Sequence, residues 1–106
     1  MDANKFEDLM TKYGVSFITY TPETVINGRK STFVVGTTDF NDKHIARIEA
    51  KNKATYGSPR PEVGEGEVLI FSYSKDKFRT LSLESIKQVT SLNAELKKSA
   101  RVSRGN

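Results

Sequence analysis

The single histidine, His44, follows Asp39 and Asp42 closely in the chain. A histidine beside carboxylates suits a general base or a metal ligand. Either role needs a further partner: a nucleophile to activate, or additional imidazole or thiolate donors. No such partner is apparent, since the chain has no cysteine and no second histidine. His44 therefore reads as a solvent-facing residue on a polar segment. Glu62, Glu65 and Glu67 raise the question of a carboxylate pair for acid–base hydrolysis. They lie among Gly57, Pro59, Pro61, Gly64 and Gly66, and read as a solvated acidic stretch. The same glycines match neither a P-loop nor a dinucleotide fingerprint, because no Gly-Lys-Ser/Thr follows and no strand precedes them. The expectation is a protein that is not an enzyme, with no catalytic residue, no metal site and no cofactor.

The basic residues are more informative. Eleven of the seventeen fall in three groups: Lys43, Arg47, Lys51 and Lys53; Lys75, Lys77 and Arg79; and Lys97, Lys98, Arg101 and Arg104. The last group has no acidic residue after Glu95. Clustered cations favour phosphate backbones through counterion release, and aromatic rings beside them can stack on bases. Tyr56, Tyr73 and Phe78 are the rings so placed in sequence. The plainer reading is a solvated charged face with a basic tail. The net charge of +4 is too small to decide between them, so the grouping matters more than the total.

The elements that would position these groups can be read from periodicity. Phe6, Leu9, Met10 and Tyr13 recur at helical spacing after Asp2 and before Gly14, which predicts a helix over 2–13 that covers one end of a core. Segment 15–21 (VSFITYT) is β-branched and aromatic and predicts a strand that Pro22 ends or places at a sheet edge. Asn27-Gly28 is a tight-turn signal, and 32–37 (TFVVGT) is the next strand, with Gly36 at a bulge or bend. Residues 39–50 suit a short helix carrying Ile45 and Ile48, capped by Asp39 or Asn41. The polar, Pro- and Gly-containing stretch 51–66 reads as a long mobile loop. Then come a strand at 67–73, a turn at 74–77 and a strand at 78–83. Val68, Ile70, Leu81 and Leu83 should be buried, with Leu69 and Phe71 on the opposite face. A short strand at 86–89 precedes a helical or disordered basic tail over 91–106.

The fold class expected is mainly β with flanking helices (α+β). It would be a small β-barrel of about five strands over 15–90, with residues 1–14 as a helix packed on it. Closure suits so many short strands because it removes exposed edges. The 106 residues suffice for one domain. No apolar run approaches the roughly 20 residues needed to cross a bilayer, and the amphipathic start of the chain does not read as a secretory signal.

Gly28-Arg29, then Gly36-Thr37-Thr38-Asp39-Phe40, then Val68 to Phe71, a turn, Phe78-Arg79-Thr80-Leu81-Ser82-Leu83-Glu84-Ser85-Ile86 and Val89 form a pattern. Over residues 15–90 it resembles the small Sm-like, SH3-type β-barrel family of tailed bacteriophages that is named for a distant similarity to WYL regulatory domains. Members commonly carry Trp where this chain has Lys77 or Phe78, and the N-terminal helix and basic tail lie outside the shared region. The resemblance implies a viral protein acting in the cytoplasm of an infected bacterial host. Related barrels bind single strands and form rings through edge strands, so RNA or single-stranded nucleic acid is the favoured partner and a homo-oligomer is compatible. The expected contacts are Lys75, Lys77, Arg79, Lys97, Lys98, Arg101 and Arg104 on phosphates, with Tyr73 beside them. The alternative is a protein-interaction module that inhibits a host enzyme, toxin or defence system through an edge strand, the 51–66 loop or the N-terminal helix. A small-ligand sensor, by analogy to WYL domains, is a weaker third.

Overall fold

The computed structural model describes residues 1–22, 31–57 and 60–93. Helix α1 spans Ala3–Tyr13, strand β1 Ser16–Tyr20, strand β2 Thr32–Thr37 and helix α2 Lys43–Tyr56. Strands β3 (Glu67–Ser72) and β4 (Lys77–Ser82) form a hairpin, and a 3₁₀ turn at Leu83–Ser85 leads into strand β5 (Ile86–Ser91). The protein is α+β, with one five-stranded antiparallel sheet in the order β4-β3-β2-β1-β5. The Asn27-Gly28 turn signal and the tail beyond Asn93 lie outside the described residues. Among the described residues no helix is long and apolar enough to cross a membrane.

Helix α1 forms where the apolar spacing predicts it. It ends at Gly14, whose φ of 73° disfavours a side chain and whose N–H donates to the Met10 carbonyl. Phe6 and Met10 are buried, and Leu9 and Tyr13 pack at the margin of the same core. That core gathers Ile18 and Tyr20 of β1, Val34 of β2, Ile70 of β3, Leu81 of β4, and Ile86 and Val89 of β5. Complete burial of such a side chain is worth about 1.5–3 kcal/mol, so α1 is held mainly by its two inward residues.

The sheet curls strongly. Laid flat, β4 and β5 would lie about 19 Å apart, four strand spacings. The chain from Ser82 to Ile86 reaches at most about 14 Å, and its middle is coiled into the 3₁₀ turn. The edge strands must therefore swing toward each other, around the core that α1 caps. No ladder joins β4 to β5 among the described residues, so the sheet stays open.

The opposite face of β3 and β4 carries a second core, in which Ile45 of α2 meets Phe71 and Phe78, with Phe40, Ile48, Leu69 and Tyr73 around them. The alternation read from the sequence holds: Ile70 and Leu81 are buried on the α1 side, Val68 and Leu83 are half-buried against the same core, and Leu69 and Phe71 point toward α2.

Helix α2 corrects the reading of 51–66 as a loop, because it continues to Tyr56. Asp42, not Asp39 or Asn41, is its cap, and accepts from the His44 N–H at 3.3 Å. Between the cap and Gly57 the chain has no glycine or proline and is rich in Ala, Lys, Arg and Glu, all strong helix formers. Its polarity reflects an exposed helix face. Between residue 60 and β3, Arg60, Gly64 and Gly66 are also tied down. Arg60 forms a two-point ion pair with Glu49, and its guanidinium lies 5.0 Å from the ring centres of both Phe40 and Phe78. Those hydrogen bonds hold the Glu49 carboxyl below its ordinary range. Gly64 N–H donates to the Glu67 carboxylate at 2.8 Å, and Leu83 N–H to the Gly66 carbonyl at 2.9 Å. At the other end, β5 runs two residues further than the predicted 86–89, to Ser91.

Candidate nucleic-acid interface

The pairing of β2 with β3 covers only Gly36↔Ser72 and Thr37↔Phe71. Gly36 makes this close contact feasible, since a Cβ there would stand 2.9 Å from the Phe71 carbonyl oxygen. Tyr73 N–H reaches the Val35 carbonyl at 2.8 Å, and the chain then turns into the hairpin. Strand β2 continues past this point to Thr32, with no partner on its β3 side among the described residues. A groove of about 620 Å³ opens between this end of β1 and β2 and the β3–β4 hairpin. Lys75, Arg79, Tyr20 and Phe33 line it, together with hydroxyls such as Thr32 and Ser74.

The hairpin is built to present its cations. Asp76 adopts a left-handed φ of 52°, and Lys75 N–H donates to Ser72 Oγ at 3.3 Å, which shapes a tight turn. Lys75 and Lys77 are exposed. Lys77 pairs with Ser72 and Arg79 with Ile70, so both stem from the face that bears the α1 core. Arg79 is half-buried, and its guanidinium lies 5.1 Å from the Tyr20 ring centre. A cation held over a ring keeps its edge N–H groups available to an anion. One carboxylate, Glu67, also lines the groove, and it is engaged with Gly64.

The structure brings together part of the predicted set. Lys75 and Arg79 line the groove, and Lys77 stands beside them on the hairpin. Lys97, Lys98, Arg101 and Arg104 lie outside the described residues, as does the side chain of Tyr56. Tyr73 is not presented beside the cations. Its hydroxyl donates to Asp42 Oδ2 at 2.9 Å, and its ring stacks on His44 at 6.3 Å and meets Phe71 edge-on at 5.2 Å. Desolvation, and then the Asp42 hydrogen bond, push its hydroxyl up to about 12. Phe78 is no stacker either, being only 6% exposed. His44, read as solvent-facing, has Nε2 2.8 Å from Asp76 Oδ1. Tyr73–Asp42 and His44–Asp76 thus tie the hairpin to the start of α2. Among the described residues no group of three His, Cys, Asp or Glu side chains could hold a metal ion.

Sequence reading missed Phe33, which is 56% exposed and stacked on Phe17 with ring centres 4.4 Å apart and planes 17° off parallel. The signal was present in the alternation. With Val34 and Ile18 inward, Phe33 and Phe17 must point outward, on neighbouring strands of one face.

A larger groove, of about 740 Å³, runs between α1 and the segment before β3. It is the poorer site for a polyanion. Its floor carries Phe6 and Met10, its charged lining is Glu7, Asp39 and Glu67, and no basic residue lines it among those described. No family model, curated protein or solved structure matches the chain.

Proposed function

We propose that this is a non-enzymatic nucleic-acid-binding protein that takes a single strand, RNA or DNA, along the groove between the β3–β4 hairpin and the Thr32 end of β2. The observation that carries the reading is the convergence of Lys75 and Arg79 on one groove, with Lys77 beside them and Tyr20 and Phe33 among the residues that line it. Cations at this density neutralise phosphates and release counterions. The tail, with Lys97, Lys98, Arg101 and Arg104, extends the positive charge available to the same strand. The curl of the sheet around the α1 core supports a small, strongly bent barrel of the Sm-like, SH3-type class. The resemblance to the phage family supports an accessory role in an infected bacterium.

Fluorescence anisotropy with labelled mixed-sequence oligonucleotides at two salt concentrations tests the reading. Binding at low salt that weakens log-linearly as salt rises is the expected result. Absence of binding at low salt removes the proposal.

One observation favours a second reading. Strands β4 and β5 each keep an unpaired edge among the described residues, and such edges accept a strand from a partner protein. A stoichiometric host protein retained on this chain after nuclease treatment, together with silent oligonucleotide titrations, would shift the assignment to an interaction module.

A further inference from the structure

We infer that the Phe17–Phe33 stack is a base-binding platform, on which one unstacked base of a bound single strand lies against the open face of Phe33 while its flanking phosphates meet Lys75 and Arg79. The inference rests on the nucleic-acid reading above and adds to it the site that recognises bases.

Scattered exposed apolar residues are ordinary on protein surfaces. Phe33 is not of that kind, because its ring is held in place. Thr19 is its direct partner across the β1–β2 ladder, and Phe17 faces Val35, so the two rings meet on the diagonal, where aromatic side chains reach each other. The near-parallel arrangement covers one face of Phe33 with Phe17. The 56% exposure is then accounted for by the other face. Neither ring belongs to the α1 core or to the α2 core, so the fold does not use the stack for packing between its layers. A rigid ring with one open face has little side-chain entropy left to lose when a planar partner settles on it.

The position of the stack identifies that partner. Phe33 also lines the groove that holds Lys75 and Arg79, at the stretch of β2 that β3 leaves unpaired. The ring stands on the outer face of β2 and the Arg79 side chain on the α1 face, so a strand that follows the cations must cross the edge of β2 to lay a base on the ring. An apolar protein surface would leave those cations unpaired, whereas a nucleotide supplies a phosphate for them and a π-face for Phe33 together. Duplex bases are already stacked on each other and offer no free face, so the platform selects single strands. Stacking of this kind tolerates any base, and no sequence preference is implied.

The chain contains no tryptophan, so Phe33→Trp in the full-length protein places a fluorophore at the platform alone. Titration with oligo(dT) and oligo(U) is expected to quench it saturably, while a duplex of equal length leaves it unchanged. Phe33→Ala is expected to weaken single-strand binding roughly ten- to hundredfold with the salt slope retained, because no phosphate contact is lost. Its melting temperature should fall by no more than a few degrees, about the worth of one cross-strand ring pair, since the side chain is outside both cores. Oligonucleotide binding with no quenching, and with Phe33→Ala equal to the parent, would overturn the platform and leave the groove reading standing. No oligonucleotide binding by the parent at low salt would remove both. A parent dimer in sedimentation that Phe33→Ala converts to a monomer would overturn the platform in favour of self-association.

Discussion

Asp42 accepts the Tyr73 hydroxyl on Oδ2 at 2.9 Å while its Oδ1 accepts the His44 N–H at 3.3 Å, so one carboxylate both caps α2 and anchors the β3–β4 hairpin. The hairpin carries Lys75 and Lys77 and leads directly into Arg79. Its orientation over the groove is thereby coupled to the start of a helix on the other face of the sheet.

The coupling has a pH signature. The Tyr73 hydroxyl is raised from 10.0 to about 12 in the folded protein. A group with a raised folded pKa contributes stability that is complete below its unfolded value, near 10, and is lost as pH climbs through the folded value. The difference in unfolding free energy between the parent and Tyr73→Phe should therefore shrink between about pH 10 and 12. Denaturant midpoints for both proteins across that range measure it, and a constant difference would contradict the contact.

Removal of the shared carboxylate should cost more than a surface change. Asp42→Ala is expected to lower stability by about 0.5–2 kcal/mol through the lost cap alone. Asp42→Asn retains a capping oxygen and should recover much of it. A double-mutant cycle of Asp42→Ala with Tyr73→Phe should show coupling, since the residues touch. Strict additivity would mean that the two do not act together.

Gly36→Ala tests the close approach of β2 to β3. The new Cβ would lie 2.9 Å from a backbone oxygen and 3.2 Å from Ile70 Cδ1, and a backbone atom in a ladder cannot move aside cheaply. A loss of about 1–3 kcal/mol in urea unfolding is expected. Leu81→Ala, at a residue 4% exposed in the α1 core, should cost about 2–5 kcal/mol. An unchanged melting temperature for Leu81→Ala would refute its place in that core.

The groove and the tail should separate by salt dependence. Each phosphate contact with a single strand contributes roughly 0.7 to the log–log slope of affinity against salt. Lys75→Ala with Arg79→Ala should flatten the slope by up to about twice that amount. Deletion of residues 97–106 should flatten it further, with the denaturant midpoint nearly unchanged, because the segment has almost no apolar surface to give to a core. An unaltered slope in the deletion would confine the binding charge to the hairpin.

Much of the architecture was legible from residue order, because its determinants are local. The spacing of Phe6, Leu9, Met10 and Tyr13 and the glycine after them define α1, and the alternation through Val68 to Phe71 and Phe78 to Leu83 assigns each residue to a face. Lys75 and Arg79 could be grouped because one short hairpin carries both. Other features were decided only when the chain folded. Helix α2 continued through a polar stretch because a helix needs one apolar stripe and no breaker, and polarity alone cannot distinguish its exposed face from a loop. Tyr73 beside the cations in sequence became a tether, because Asp42, more than thirty residues away, was brought within 2.9 Å of its hydroxyl. Phe17 and Phe33 became one stack, and Tyr20 a shelf for Arg79, through strand register and sheet curl. These are long-range relationships, fixed by which strands pair and where one pairing stops, and no local periodicity encodes them.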